Sequence, residues 1–205
     1  MQNTTVVRLT TNLIDEAENI AIKGSLCQKE GQLEEAVFYY KQALNENPNL
    51  QQVHYNLGIV LYQQGDLLEA YQSYKKAIAL QPDDVNGYYN MGLVLQDQGL
   101  FAEAIDSYQQ VINLSKIENS NHHDSVVNSY NNWGCILLHE NQTDAAISVF
   151  KKALLLKPDD FTIYNNIGQA LLQKSQLDQG ISYLEKSLKL EPLFTTAIHH
   201  LGKAY

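Results

Sequence analysis

Four asparagines recur in one setting: Asn56-Leu57-Gly58, Asn90-Met91-Gly92, Asn132-Trp133-Gly134 and Asn166-Ile167-Gly168. A carboxamide carries donors and an acceptor but neither ionises nor attacks, so its chemistry is recognition, above all of another chain's N–H and C=O groups. Residues suited to covalent or metal chemistry are fewer. His122-His123-Asp124 is the one cluster with metal or acid–base potential, but adjacent histidines splay apart and a catalytic metal wants about three well-oriented ligands. It reads as a solvated loop. His139, His199 and His200 have no carboxylate one helical turn away and read as polar lining. Cys27 and Cys135 lie far apart without a CxxC partner, so they read as free thiols, Cys135 as a small filler. Every glycine except Gly87 falls at a repeated position, a turn or a helix crossing, so no phosphate loop is present. No catalytic residue, metal site or cofactor is expected.

The net charge of -9 and a pI near 5.0 repel phosphate backbones and anionic lipid. The longest basic runs are the pairs Lys75-Lys76 and Lys151-Lys152, so nucleic acid and membrane are excluded as partners. The N-terminus shows no signal peptide, and no apolar run approaches the roughly 18 residues of a membrane span. A cytoplasmic protein is expected.

The elements that must position the asparagines come from a period. Gly24, Gly58 and Gly92 are 34 residues apart, as are Gly134, Gly168 and Gly202; the step from Gly92 to Gly134 is 42, an insertion of eight. In the same phase run Ala36, Ala70, Ala104, Ala146 and Gly180; then Tyr40, Tyr74, Tyr108, Phe150 and Leu184; then Ala43, Ala77, Val111, Ala153 and Ser187. Pro48, Pro82, Pro158 and Pro192 are all the prolines in the chain, and Ile117 replaces the fifth. Each period reads as helix, turn, helix and a proline-marked break. The small residues face each other where two antiparallel helices cross, because only they let the backbones approach.

This pattern resembles the tetratricopeptide repeat (TPR) over residues 17–205. The expected class is all-α, a right-handed α-solenoid of antiparallel helix pairs. The expected organisation is a leader over 1–11 and an array over 12–205. Repeats occupy 17–50, 51–84, 85–118, 127–160 and 161–194, with a partial sixth at 195–205 and the insertion at about 118–126. Thr10 or Thr11 would cap a first helix over residues 12–29. The chain would thus end inside a sixth repeat, as a fragment or with a lone helix as lid.

With the glycine counted as the eighth residue of each repeat, positions 4, 7, 8 and 11 point one way and positions 2, 6, 9 and 13 the other. The asparagines hold position 6. The family resemblance implies that this second stripe lines a concave groove, with rungs that include Gln52, Asn86 and Gln169. At position 5, Tyr55, Tyr89, Asn131 and Asn165 flank it, and Tyr62 stands near. An asparagine ladder over Asn56, Asn90, Asn132 and Asn166 is similar to that in the repeat superhelix of the O-linked N-acetylglucosamine transferases. It breaks at Ile22 and His200. Peptide contact and stiffening of the stack both fit the asparagines. Relatives that grip chaperone tails use asparagine after the glycine and basic residues on the third first-of-pair helix; here Ser25, Ile59, Leu93, Cys135 and Gln169 follow the glycines.

The reading is a non-catalytic scaffold that binds a peptide or protein segment in its groove. The alternative is the N-terminal substrate-docking region of a larger enzyme such as a glycosyltransferase. Self-association through array ends, by way of Ile198, Leu201 and Tyr205, is a third possibility.

Overall fold

The computed structural model describes residues 2–118 and 122–204, with side chains from 16–116 and 122–204. Among these residues all regular structure is helical: α1 (Gln2–Lys29), α2 (Leu33–Glu46), α3 (Gln51–Gln64), α4 (Leu67–Leu80), α5 (Val85–Asp97), α6 (Phe101–Glu118), α7 (His123–His139), α8 (Thr143–Leu156), α9 (Phe161–Gln173), α10 (Leu177–Leu190) and α11 (Thr195–Ala204). They divide into two compact units, Met1–Leu100 and Phe101–Tyr205. In the first, α1 pairs with α2 and α3 with α4, while α2 packs on α3 and α4 on α5. In the second, α7 pairs with α8 and α9 with α10, with α6, α8 and α10 packed on the helices that follow them.

Packing explains the period. Ala36, Ala70, Ala104 and Ala146 are wholly buried, as are Tyr40, Tyr108, Phe150 and Leu184, and Tyr74 nearly so. A Cβ on Gly24 would lie 2.8 Å from the Tyr40 ring, one on Gly58 2.8 Å from Tyr74, one on Gly134 2.4 Å from Phe150 and one on Gly168 2.7 Å from Leu184. In these four pairs the large residue of the second helix thus sits in the notch the glycine leaves. In the fifth repeat, Ser187 takes the alanine's place because its hydroxyl donates to the Phe161 carbonyl at 2.8 Å.

Turns inside each helix pair need one residue in the left-handed region. Gly31, Gly65 and Gly99 supply it at φ 76°, 85° and 75°, while Asn141 and Ser175 hold the same place at 61° and 59°. A left-handed serine costs roughly 1–2 kcal/mol. Ser175→Gly is therefore expected to stabilise the second unit by about 1 kcal/mol, raising its melting midpoint by about 2–4 °C in a circular-dichroism melt.

Two boundaries differ from the sequence reading. Helix α1 starts at Gln2, ahead of the threonines, so the stretch expected as a leader is helical from its second residue. No proline or glycine between Gln2 and Thr11 stops it. The insertion lengthens its neighbours: α6 spans 18 residues and α7 spans 17, against 14 for α4 and α8. The place of the missing proline, 34 residues after Pro82, is held by Lys116 rather than Ile117, and it lets α6 continue. Residues 119–121 of the insertion lie outside the described residues.

Candidate functional site

Asp84 and Asp160 start two of the groove helices. Their carboxylates accept from the backbone N–H groups of Asn86 and Gly87, and of Thr162 and Ile163, which satisfies two otherwise orphaned donors at each helix start. The Gln51 amide adds a 2.9 Å bond to Asp84, tying α3 to the start of α5. These caps fix where positions 5 and 6 emerge.

The asparagines then show one habit: each reaches back to the preceding repeat. Asn90 Nδ2 donates to the Tyr55 hydroxyl at 2.9 Å, and Asn166 Nδ2 to Asn131 Oδ1 at 2.9 Å. His200, at the same position, bonds Asn165 Oδ1 through Nδ1 at 2.9 Å. All three pairs join residues 35 apart, position 6 of one repeat to position 5 of the one before. Asn132 Nδ2 reaches the Tyr108 hydroxyl at 3.4 Å, and Asn56 lies in hydrogen-bond reach of the Tyr40 hydroxyl, the equivalent ring one repeat earlier. Donor groups of the ladder thus bond the stack itself. Asn56 Oδ1 accepts from Gln52 at 2.9 Å and Asn166 Oδ1 from Asn165 at 3.2 Å. No bond to the carbonyl oxygen of Asn90 or Asn132 is seen among the described residues.

The flanking tyrosines are held as firmly. Tyr55 stands edge-on to Tyr74, ring centroids 5.9 Å apart, and burial raises its pKa. Tyr62 donates to Asp97 Oδ2 at 2.6 Å; burial, then that bond and the Asp97 charge, push its phenol up to about 12. Tyr89 is half-buried and Asn86 exposed. Burial pushes the Cys135 thiol up to about 11, which keeps it protonated and unreactive at neutral pH. His123 Nε2 meets the Leu156 carbonyl at 3.1 Å, and His139 stacks edge-on against Phe101. No cluster of three potential metal ligands occurs among the described residues.

Each unit brings some of these residues to a cleft. In the first, an open cleft of about 460 Å³ gathers Gln52 and Asn56 from α3 with Ile22 and Ser25 from α1 and Tyr40 from α2. In the second, about 330 Å³ lies between α9 and α11, where Gln169 and Gln173 meet His200 and Lys203. Burial, and the positive charges of His199 and Lys203, lower the His200 pKa and favour its neutral ring. Sequence reasoning did not place Ile22, Ser25 and Tyr40 in the first cleft. Ile22 interrupts the asparagine series, and that interruption was the available signal.

Paired helices of fixed length, joined by left-handed turns and packed glycine against aromatic, define a helix-pair repeat array. Sequence comparison gives that class its name. Residues 24–65 and 60–99 match a TPR repeat profile, and 83–157 and 161–192 match tetratricopeptide repeat profiles, so the chain belongs to the tetratricopeptide repeat family. Among solved structures, MamA superposes with a TM-score of 0.76 at 24% identity, over 86% of this chain and 92% of that one. YrrB, described as a TPR protein with an unusual peptide-binding site, gives 0.74 at 22% identity over 93% and 96%. The pilF protein of Pseudomonas aeruginosa gives 0.69 at 19% over 93% and 90%. At these identities the likeness establishes the fold. No curated protein matches the chain. No helix among the described residues is long and apolar enough to cross a membrane.

Proposed function

We propose that the protein is a non-catalytic interaction scaffold that holds an extended segment of a partner polypeptide against its first-of-pair helices. The observation that carries this reading is the cleft of the first unit. There the Gln52 and Asn56 amides and the Ser25 hydroxyl line the cleft together with Ile22, which is 57% exposed. Amides and hydroxyls suit a peptide backbone, and an exposed isoleucine suits an apolar side chain beside it. Glu18 is the one charge on the lining. The ligand is therefore uncharged or mildly basic. Within the first unit Tyr55, Tyr62, Asn86, Tyr89 and Asn90 extend the candidate surface, and the second unit carries its own candidate set in Asn131, Asn132, Asn165, Asn166 and Gln169. That YrrB carries a peptide-binding site on a similar fold agrees with this reading.

The ladder asparagines also bond neighbouring repeats, so their removal mixes binding with stability. Ile22 and Gln52 separate the two, because neither carries a bond between repeats. Partners captured from native lysate by the wild-type chain should be lost with Ile22→Glu/Gln52→Ala, whose melting curve should match the wild type. Partners retained by that variant would overturn the assignment of the cleft. Self-association through the last helix is a separate proposal, supported by Ile198 at 49% exposure and by open space over Gly202. A monomer by light scattering at high concentration would sink it.

A further inference from the structure

In an array whose regular positions are accounted for by packing, the place where the period breaks is where a second site would be built. That place lies between α6 and α7. On the face of α7 turned away from the Asn128, Asn132, Cys135 stripe, a cleft of about 230 Å³ is lined by Gln109, Asn113 and Lys116 of α6, Tyr130 and Trp133 of α7 and Lys152 of α8. Its floor is aromatic: Tyr130 and Trp133 lie 6.4 Å apart and within 12° of parallel. Among the described residues no carboxylate lines it.

Among the described residues five lysines have an acidic or aromatic partner. Lys41 pairs with Glu69 at 2.7 Å, Lys157 with Asp160 at 3.6 Å, and Lys174 with Asp144. Lys75 and Lys186 rest over the rings of Tyr71 and Tyr164. Lys116 and Lys152 have neither an acidic nor an aromatic partner among the described residues. The fifth repeat shows what the fourth has given up. Lys186 and Tyr164 stand there where Lys152 and Tyr130 stand here, and the ammonium lies 4.4 Å from the ring centroid. Ile167 occupies the place of Trp133. In the fourth repeat the larger indole stacks on Tyr130 instead, and a cleft opens beside Lys152. The neighbouring cleft, on the other side of Tyr130 and also bordered by Lys116, adds His122 and His123 and again no carboxylate among the described residues.

We propose that this cleft binds an acidic segment of a partner polypeptide, a carboxylate side chain next to an apolar or aromatic one. Two ammonium groups and two side-chain amides supply donors for carboxylate oxygens. The parallel rings supply a flat apolar surface for the neighbouring side chain. The volume takes one or two side chains and falls below that of a small-molecule pocket, typically about 300–1,000 Å³. The net charge of -9 disfavours an acidic segment over the surface as a whole, and this cleft offers two lysines where the cleft between α9 and α11 offers one. The ligand differs from that of the concave cleft, so the two sites succeed or fail independently.

Trp133 is the only tryptophan and reports the site directly. Its fluorescence should be quenched more by iodide than by caesium, and Lys116→Ala/Lys152→Ala should remove the difference. An oligoglutamate peptide carrying one phenylalanine should shift the emission saturably, more weakly at high salt. The double variant should bind it about five- to tenfold less tightly. The Lys→Arg pair should retain binding, and helicity by circular dichroism should be equal in all three proteins. Caesium quenching equal to that of iodide would overturn the proposal. So would peptide affinity unchanged in the double variant, or inorganic phosphate saturating the signal as tightly as the peptide.

Discussion

Gly134→Ala is expected to be the most damaging single-methyl change in the protein. The added carbon would sit 2.4 Å from the Phe150 ring, closer than the corresponding contacts at Gly24, Gly58 and Gly168. The ring cannot swing away, because Phe150 is wholly buried among Val127, Leu137, Ala146, Ala153 and Ile167. Overpacking of this kind costs about 3 kcal/mol at the upper end of its usual range. The melting midpoint of the second unit should fall by roughly 5–10 °C. Two controls give the prediction its meaning. Gly202→Ala adds the same methyl where nothing lies within 4 Å, and should be neutral or stabilising by up to about 1 kcal/mol through helix propensity. In a Phe150→Leu background, where the side chain has more rotamers, Gly134→Ala should cost less by more than about 1 kcal/mol. Urea titrations of the four proteins would settle it. An additive cycle would show that the glycine matters for some reason other than this ring.

The same contact explains why so much of the fold is legible in the sequence. A glycine facing a ring sixteen residues on, and an alanine four residues before that ring, are demands of close packing. They recur because each repeat solves the same crossing. Helix pairs, turns and the insertion could therefore be read from residue types alone. The direction of the asparagine bonds could not. Their acceptors are a phenol at Tyr55 and carboxamides at Asn131 and, for His200, Asn165, so no single residue type marks the partner. Only the common offset of 35 residues unites them, and it appears once neighbouring repeats are seen stacked. The lysine cleft was hidden for the opposite reason. It arises from departures from the period, where Trp133 replaces a smaller side chain and α6 runs past its missing proline. Regularity points to the scaffold, and the irregular repeat points to what distinguishes this chain.

Alkaline pH should weaken the first unit before the second. Tyr55, Tyr62 and Tyr74 all belong to the first unit, and burial raises the pKa of each. A phenol with a raised pKa keeps its proton longer when folded. Below about pH 10 both states hold the proton and its contribution is fully present. Above that, the unfolded chain releases protons that the folded chain retains, so stability falls as pH rises, for Tyr62 through the interval up to about 12. Tyr130 is a raised phenol of the second unit, against four in the first with Tyr40, and the second unit's midpoint should move less over the same interval. Tyr62→Phe isolates one contribution. It removes the 2.6 Å bond to Asp97 and lowers stability at neutral pH, yet the decline between pH 10 and about 12 should be shallower than in the wild type. Urea midpoints measured across that range decide it: parallel curves for the two proteins would mean that Tyr62 ionises as freely in the folded chain as in the unfolded one. The Asp97 carboxylate would then be a mere neighbour of the ring, and the bond between the second and third repeats would owe nothing to the phenol's proton.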